Sequence, residues 1–292
     1  MAGAAERSTE MAWIPGATFR MGSDAHYPEE APARDVPVDG FWIDRHAVTN
    51  REFAAFVADT GHVTVAERPL DPAAFPGAPA ENLVPGSLVF TRTRGPVDLR
   101  HVSQWWTWMP GACWARPEGP GSTLAGRAEH PVVHVAYEDA SAYAAWAGKA
   151  LPTEAQWERA ARGGLDGAAY VWGDEPERPR ERLANHWRGA FPWRSEPESG
   201  TTTPVGSFPA NGFGLFDMAG NVWEWTSDWY GGDERASLDP AQPQFPVPRK
   251  VVKGGSFLCA DSYCLRYRPA ARRPQMVDTG MSHVGFRCAR EG

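Results

Sequence analysis

Cys259 and Cys264 stand five positions apart in "KGGSFLCADSYCLRYRPAARR", in a chain of 292 residues that has four cysteines in all. Two thiols at this spacing admit four readings. A disulfide across so small a loop would stabilise little and would be reduced in the cytosol. A zinc clasp needs four ligands, and the nearest residues of the right type, His283 and Cys288, lie in another segment without C-x-x-C pairing. Inert packing is the third reading, since free cysteine behaves as a small buried hydrophobe. The fourth is a soft monovalent ion, because Cu(I) accepts thiolates at low coordination number and leaves room for a third sulfur from a substrate.

Other chemistries find less support. His130 and His134 are four apart, but Pro131 and the β-rich "PVVHV" put them in a strand, where that spacing does not build a zinc pair; both read as core or surface histidines. "GNVWEW" and "KGGSF" lack the glycine spacing that cradles a phosphate, and no G-x-S-x-G elbow is present. With 29 basic and 36 acidic residues the formal net charge is -7, without long runs of one sign, so nothing marks a nucleic-acid or anionic-membrane partner. No apolar window approaches the roughly 18 residues of a membrane span, and "MAGAAERSTE" lacks the features of a signal peptide. These features predict a cytoplasmic protein, read as a monomer, whose cysteines are free thiols, metal ligands or catalytic groups rather than structural disulfides.

The elements that must position the thiols lie in a loop-rich texture. The 14 Trp, 30 Gly and 27 Pro are dispersed along the chain, which predicts irregular segments pinned by large rings. Three helices are legible. Thr49 and Glu52 form a capping box, Phe53, Phe56 and Val57 an apolar stripe, and Gly61 a stop. Val132 to Val135 alternates like a strand, and a helix through Tyr143, Ala144 and Trp146 follows, ending at Gly148. Thr153 and Gln156 form a second box, closed by Gly163 and Gly164. Short strands are expected at "VKGGSFL" and "HVGFRCA". The fold class is α+β, in a single domain over residues 1–292 with about the first ten unstructured. The Pro-rich stretch from "ERPLDPAAFPGAPAENLVPG" to "GPVDLRHVSQ" reads as a surface excursion.

The chain resembles the formylglycine-generating enzymes, the sulfatase-modifying factor family, over almost its whole length. The motifs run from "MAWIPGATFRMGSD" through "FWIDRHAVTNREFAAFV", "HPVVHVAYEDASAYAAWAGKALPTEAQWERAARGG" and "NGFGLFDMAGNVWEWTSDW" to "KGGSFLCADSYCLRYRPAARR" and "GFRC". "LPTEAQWE" and "GNVWEW" mark the C-type-lectin-like fold, while G-G-S-x-x-C-x-x-x-x-C is the discriminating part. The resemblance implies a copper-dependent oxidase that uses O₂ to convert a cysteine of a client sulfatase, in a Cys-x-Pro-x-Arg segment presented unfolded, to Cα-formylglycine. Cys259 and Cys264 would be the Cu(I) ligands, with Ser256, Tyr263 and Trp223 lining the oxygen pocket. Without the family, Ser256 reads as a turn hydroxyl, and Tyr263 and Trp223 as core.

The resemblance also implies calcium. In "DMAGNVWE", Asp217, the carbonyls of Gly220 and Val222, and Glu224 would be its hard oxygen ligands. Asn185 and the carbonyl of His186 stand where a second site begins, but "FPWRSEPESGTTTPVGSF" is short there and has no Asp. Two departures bear on the client: Ala260 stands where many relatives carry His, and "RRPQMVDTGMSHVGFRC" differs from the more usual T-P-D-S-S run. Cys113 and Cys288 read as packed thiols. The same metal chemistry on another peptide or thiol, or a non-catalytic binding module of the same fold, are the alternatives.

Overall fold

The computed structural model describes residues 10–73, 77–80, 83–178, 180–197, 199–243 and 246–292. Residues 1–9, which make up most of the stretch expected to be unstructured, lie outside the described residues, while the Glu10 carbonyl accepts from the Arg45 amide at 3.0 Å.

Among the described residues, thirteen short strands form five small sheets. β1 (Met11–Ile14), β4 (Phe41–Asp44) and β13 (Ala289–Glu291) make an antiparallel sheet that joins the two ends of the chain. β2 (Ala17–Met21) pairs with β3 (Arg34–Val38), β5 (Gly86–Phe90) with β6 (Trp106–Pro110), and β7 (Gly189–Ala190) with β8 (Arg194–Ser195). The largest sheet has the order β11 (Arg272–Met276), β10 (Arg249–Lys253), β9 (Trp223–Trp229), β12 (Val284–Gly285).

The three helices form where local signals place them. α1 (Asn50–Thr60) starts with the reciprocal Thr49–Glu52 box and ends at Gly61, whose φ of 69° is left-handed. α2 (Tyr137–Trp146) begins at Ala136, which has no hydroxyl, so Asp139 Oδ2 reaches back to accept its amide at 2.9 Å; Gly148 at φ 68° follows its end. α3 (Glu154–Arg162) has the Thr153–Gln156 box and stops at Gly163. Phe53 and Phe56 of α1 pack on Tyr143 of α2 at 6.0 and 5.6 Å between ring centroids, and this aromatic cluster continues into the core that holds Cys259 and Cys264.

Two expected strands differ. In "VKGGSFL" the strand stops at Lys253, because Gly254 and Gly255 take φ of 93° and 72° and turn the chain out of the sheet. "PVVHV" is not a strand: His134 adopts φ 61°, and its buried ring meets Ser87 Oγ at 2.8 Å and the Pro117 carbonyl at 2.8 Å. His134 is a core histidine, while His130 Nδ1 lies 2.9 Å from Thr202 Oγ1. The Pro-rich stretch is only partly a surface excursion, since its end brings Val102 and Ser103 to a cavity wall and leads into buried Trp105.

Candidate active site

The glycine turn after β10 is a sequence requirement. A Cβ on Gly255 would lie 2.8 Å from the Arg266 carbonyl and 2.9 Å from the Tyr267 amide, so only glycine lets the two ends of the thiol loop close. Inside the loop, Cys259 N donates to Ser256 O at 2.9 Å and Cys264 N to Ala260 O at 2.6 Å. These successive turns bring two thiols five positions apart together. The loop is pinned from outside, where Phe257 N donates to Asn221 O at 3.0 Å and Trp187 N to Cys259 O at 2.8 Å.

The two sulfurs lie 3.4 Å apart. That exceeds the roughly 2.05 Å of a disulfide, and all four cysteines are unpaired. Ser256 N points at the Cys259 sulfur at 3.5 Å, and Arg266 Nη1 at the Cys264 sulfur at 3.8 Å. The Cys264 thiol is held down to about 6, by the hydrogen bond from Cys259 first and then, against burial, by the Arg266 and Arg273 charges. Burial pushes Cys259 up. The pair is therefore divided, with a thiolate at 264 and a thiol donor at 259.

Arg266 is itself clamped. It lies 3.6 Å over the Tyr27 ring and pairs with Glu29 at 2.7 Å, while the Tyr27 hydroxyl accepts the Leu265 amide at 3.1 Å. One step further on, Arg268 Nη1 donates to buried Glu30 at 2.9 Å.

Both thiols open into a cavity of about 430 Å³. Ser256, Tyr263 and Trp223 line it as well, so all five residues that the family resemblance implies for the oxidation line the same cavity. Tyr263 stacks on Phe191 at 4.7 Å and meets Trp105 edge-on at 5.6 Å. Leu88, Arg273, Met281 and His283 also line it. Sequence reading had set His283 aside as too remote. The signal that brings it in is non-local, the parallel pairing of β12 with β9 and the Trp223 amide donating to the His283 carbonyl at 2.9 Å. Cys113 and Cys288 are buried outside this lining.

The donor set fits a soft ion. Among the described residues no group of three or more His, Cys, Asp and Glu could hold a metal, so the thiols have no third protein ligand, and zinc's usual set is absent.

The residues implied for calcium are used unevenly. Asp217 is buried, with Oδ2 accepting from Gly206 N at 2.8 Å and Oδ1 without a partner; burial, with Glu224 adding, pushes it up to about 6. That orphan oxygen fits a hard cation. Glu224 does not. Its carboxylate accepts from Arg287 Nε at 2.7 Å, Arg287 Nη2 at 2.8 Å and Trp157 Nε1 at 2.8 Å. Gly220 and Val222 lie between the two. At the second location Asn185 Nδ2 donates to Thr201 O and Asn221 Oδ1, and the His186 ring stacks on Tyr267 at 4.3 Å with Nε2 2.8 Å from Glu177. Asn185 is a cross-link between loops there.

The sulfatase-modifying factor enzyme 1-like domain matches residues 1–292. The chain belongs to this family. A formylglycine-generating enzyme of Mycobacterium tuberculosis is 54% identical across 97% of this chain and 98% of its own length. A Mus musculus relative named "Inactive C-alpha-formylglycine-generating enzyme 2" is 39% identical across 96% of this chain and 85% of its own. Among solved structures, PvdO from Pseudomonas aeruginosa superposes with a TM-score of 0.63 at 24% identity over 99% of this chain and 97% of that one, a likeness of fold. Family membership thus spans members named active and inactive, and the site has to separate them.

Proposed function

We propose that this family member is a copper-dependent oxidase that converts a cysteine in a sulfatase-type Cys-x-Pro-x-Arg segment to Cα-formylglycine with O₂. The observation that carries the reading is the pair of unbridged thiols 3.4 Å apart on the wall of a cavity of about 430 Å³, one of them held as thiolate, with no third protein ligand. The client thiol would complete the set. Cu(I), when bound, supplies the one-electron chemistry that O₂ requires and zinc lacks.

The chain's own residues do the rest. Cys259 and Cys264 would hold the ion, and the hydrogen bond from Cys259, aided by the charge of Arg266 fixed by Tyr27 and Glu29, favours the Cys264 thiolate. Trp223, Tyr263 and Ser256 line the cavity beside the thiols and would shape the space that O₂ enters. As a balance, R–CH₂–SH, O₂ and two hydrogen equivalents give R–CHO, H₂S and H₂O, so an added thiol reductant belongs in the assay.

Among the described residues no helix is long and apolar enough to cross a membrane.

The test is incubation of Cu(I)-loaded protein with a Cys-x-Pro-x-Arg peptide and reductant in air, with mass spectrometry and hydrazide capture of an aldehyde. Aldehyde formed only under O₂ is the expected result. Copper loading without aldehyde would favour a different client, and neither would favour a non-catalytic binding module.

A further inference from the structure

His283 enters the cavity from β12's leading edge, with a polar ring that the protein itself does not use. Its Nδ1 is buried without a hydrogen-bond partner, and among the described residues neither ring nitrogen is hydrogen-bonded. The ring is part-exposed at the cavity wall and packs against Trp106 at 4.7 Å between centroids. Buried polar atoms are nearly always paired, so an orphaned one in a residue that lines a cavity needs an explanation. Its backbone is placed firmly, since its carbonyl accepts the Trp223 amide and ties it to the wall residue on β9.

Burial and the neighbouring Arg273 push its protonation down to about 3, so at neutral pH the ring is uncharged. A neutral imidazole carries one donor and one acceptor nitrogen. Nδ1 is buried, so the other nitrogen is the one that can face the cavity, and in either role it matches one group of an extended peptide backbone, which offers an N–H and a C=O at each residue. The lining around it combines apolar Leu88, Trp106, Pro274 and Met281 with the polar Arg273 and Gln275, and the imidazole is an uncharged ring among them that can make a directional hydrogen bond.

We propose that His283 is a client-binding residue, whose imidazole hydrogen-bonds the backbone of the client segment next to its reactive cysteine and thereby sets how that cysteine enters the cavity. This rests on the peptide-client reading above. It assigns the ring a role in binding and none in holding the metal.

A purely structural histidine and a client-binding one respond oppositely to His283→Leu. A structural ring loses stability when replaced. A ring left unsatisfied in the free protein loses nothing of that kind, so the leucine variant should melt at or above the wild-type temperature. The full-length protein is titrated with a fluorescein-labelled Ser-x-Pro-x-Arg peptide, in which serine replaces the reactive cysteine so that binding is read without chemistry. His283→Leu should weaken binding about tenfold, the scale of one unreplaced hydrogen bond. His283→Gln, which retains a donor and an acceptor, should recover most of the loss. With the cysteine peptide, His283→Leu should raise KM with little change in kcat, and Cu(I) stoichiometry should stay at the wild-type value. A leucine variant that binds the serine peptide as tightly as wild type overturns the proposal, as does one that loses binding and melting temperature together. Wild-type protein that does not bind the peptide also overturns it. Binding that depends on His283 without any aldehyde product supports the proposal while removing the oxidase reading.

Discussion

Trp223 and Glu224 are neighbours on β9, and because successive side chains of a strand face opposite ways they serve two different regions. Trp223 lines the cavity, where two thiols and an imidazole nitrogen are left without the partners that would saturate them. Glu224 turns into the interior, where Arg287 takes both of its oxygens and Trp157 adds a third hydrogen bond. Nearby, Lys253 reaches Glu158 at 2.9 Å and Arg162 reaches the same carboxylate at 2.7 Å. The lesson is that buried polarity in this molecule has two uses. The carboxylates of Glu224 and Glu158 are saturated and hold the frame, whereas Asp217 Oδ1 and His283 Nδ1 are left open. Asp217, seven positions before Glu224 in one motif, falls on the open side of that division.

The sharpest way to test the comparison is to remove an open group and look for lost chemistry without lost fold. Cys259→Ser or Cys264→Ser should each lower turnover about a thousandfold or more, with copper stoichiometry falling from about one per chain and the melting curve nearly unchanged. Full copper retention in both variants would end the ligand assignment.

Removing a saturated group should do the reverse. Arg287→Leu leaves Glu224 buried and uncompensated and should destabilise the fold by about 3–5 kcal/mol, read by urea denaturation. The pair Glu224→Gln with Arg287→Met should recover much of that loss, whereas the Cys variants allow no such rescue.

Asp217 sharpens the boundary between the two classes. If its open oxygen takes calcium, exhaustive chelation should lower stability by about 2–3 kcal/mol at an ion concentration near a hundred times the dissociation constant, and Asp217→Asn should abolish that sensitivity. Chelation without effect on the wild-type melting temperature would leave Asp217 as a buried acid alone.

The smallest effect is a pH dependence. His134 is saturated by Ser87 and Pro117, and burial lowers it from the ordinary 6.5 to about 4. Between those values the unfolded chain binds a proton that the folded chain refuses, so stability falls as pH drops from about 6.5 to 4 and is fully present above 6.5. The loss should be on the order of 2 kcal/mol. His134→Gln should flatten the slope of melting temperature against pH in that window; an unchanged slope would remove His134 as its source.

What could be read in the sequence was local. The capping boxes at Thr49 and Thr153 and the glycine stops at Gly61 and Gly163 involve residues within one turn of each other, and all stand where expected. The α+β class followed from the same texture, and the family motifs singled out the five cavity residues. The strands at "PVVHV" and "VKGGSFL" misled because alternation says nothing of a left-handed residue such as His134 or of the turn at Gly254 and Gly255. His283 and the Arg287–Glu224 pair were invisible for another reason. Their partners are set by strand pairing across about 60 residues, and no spacing rule reaches that far.

The clamp of Tyr27 and Glu29 on Arg266 has a consequence in time. Its Tyr27–Leu265 and Glu29–Arg266 bonds join positions 238 and 237 apart, and Glu30–Arg268 repeats the separation of 238. Closing so long a loop is among the last events in folding, because nearly the whole chain must be ordered before those contacts form. Until then the Cys264 sulfur lacks its fixed guanidinium, and the loop lacks its backbone anchor at Leu265. The final geometry of the thiol loop is therefore reached only after both ends of the chain have folded together, so a truncated or half-folded chain holds two ordinary cysteines where the finished one holds a buried, clamped pair.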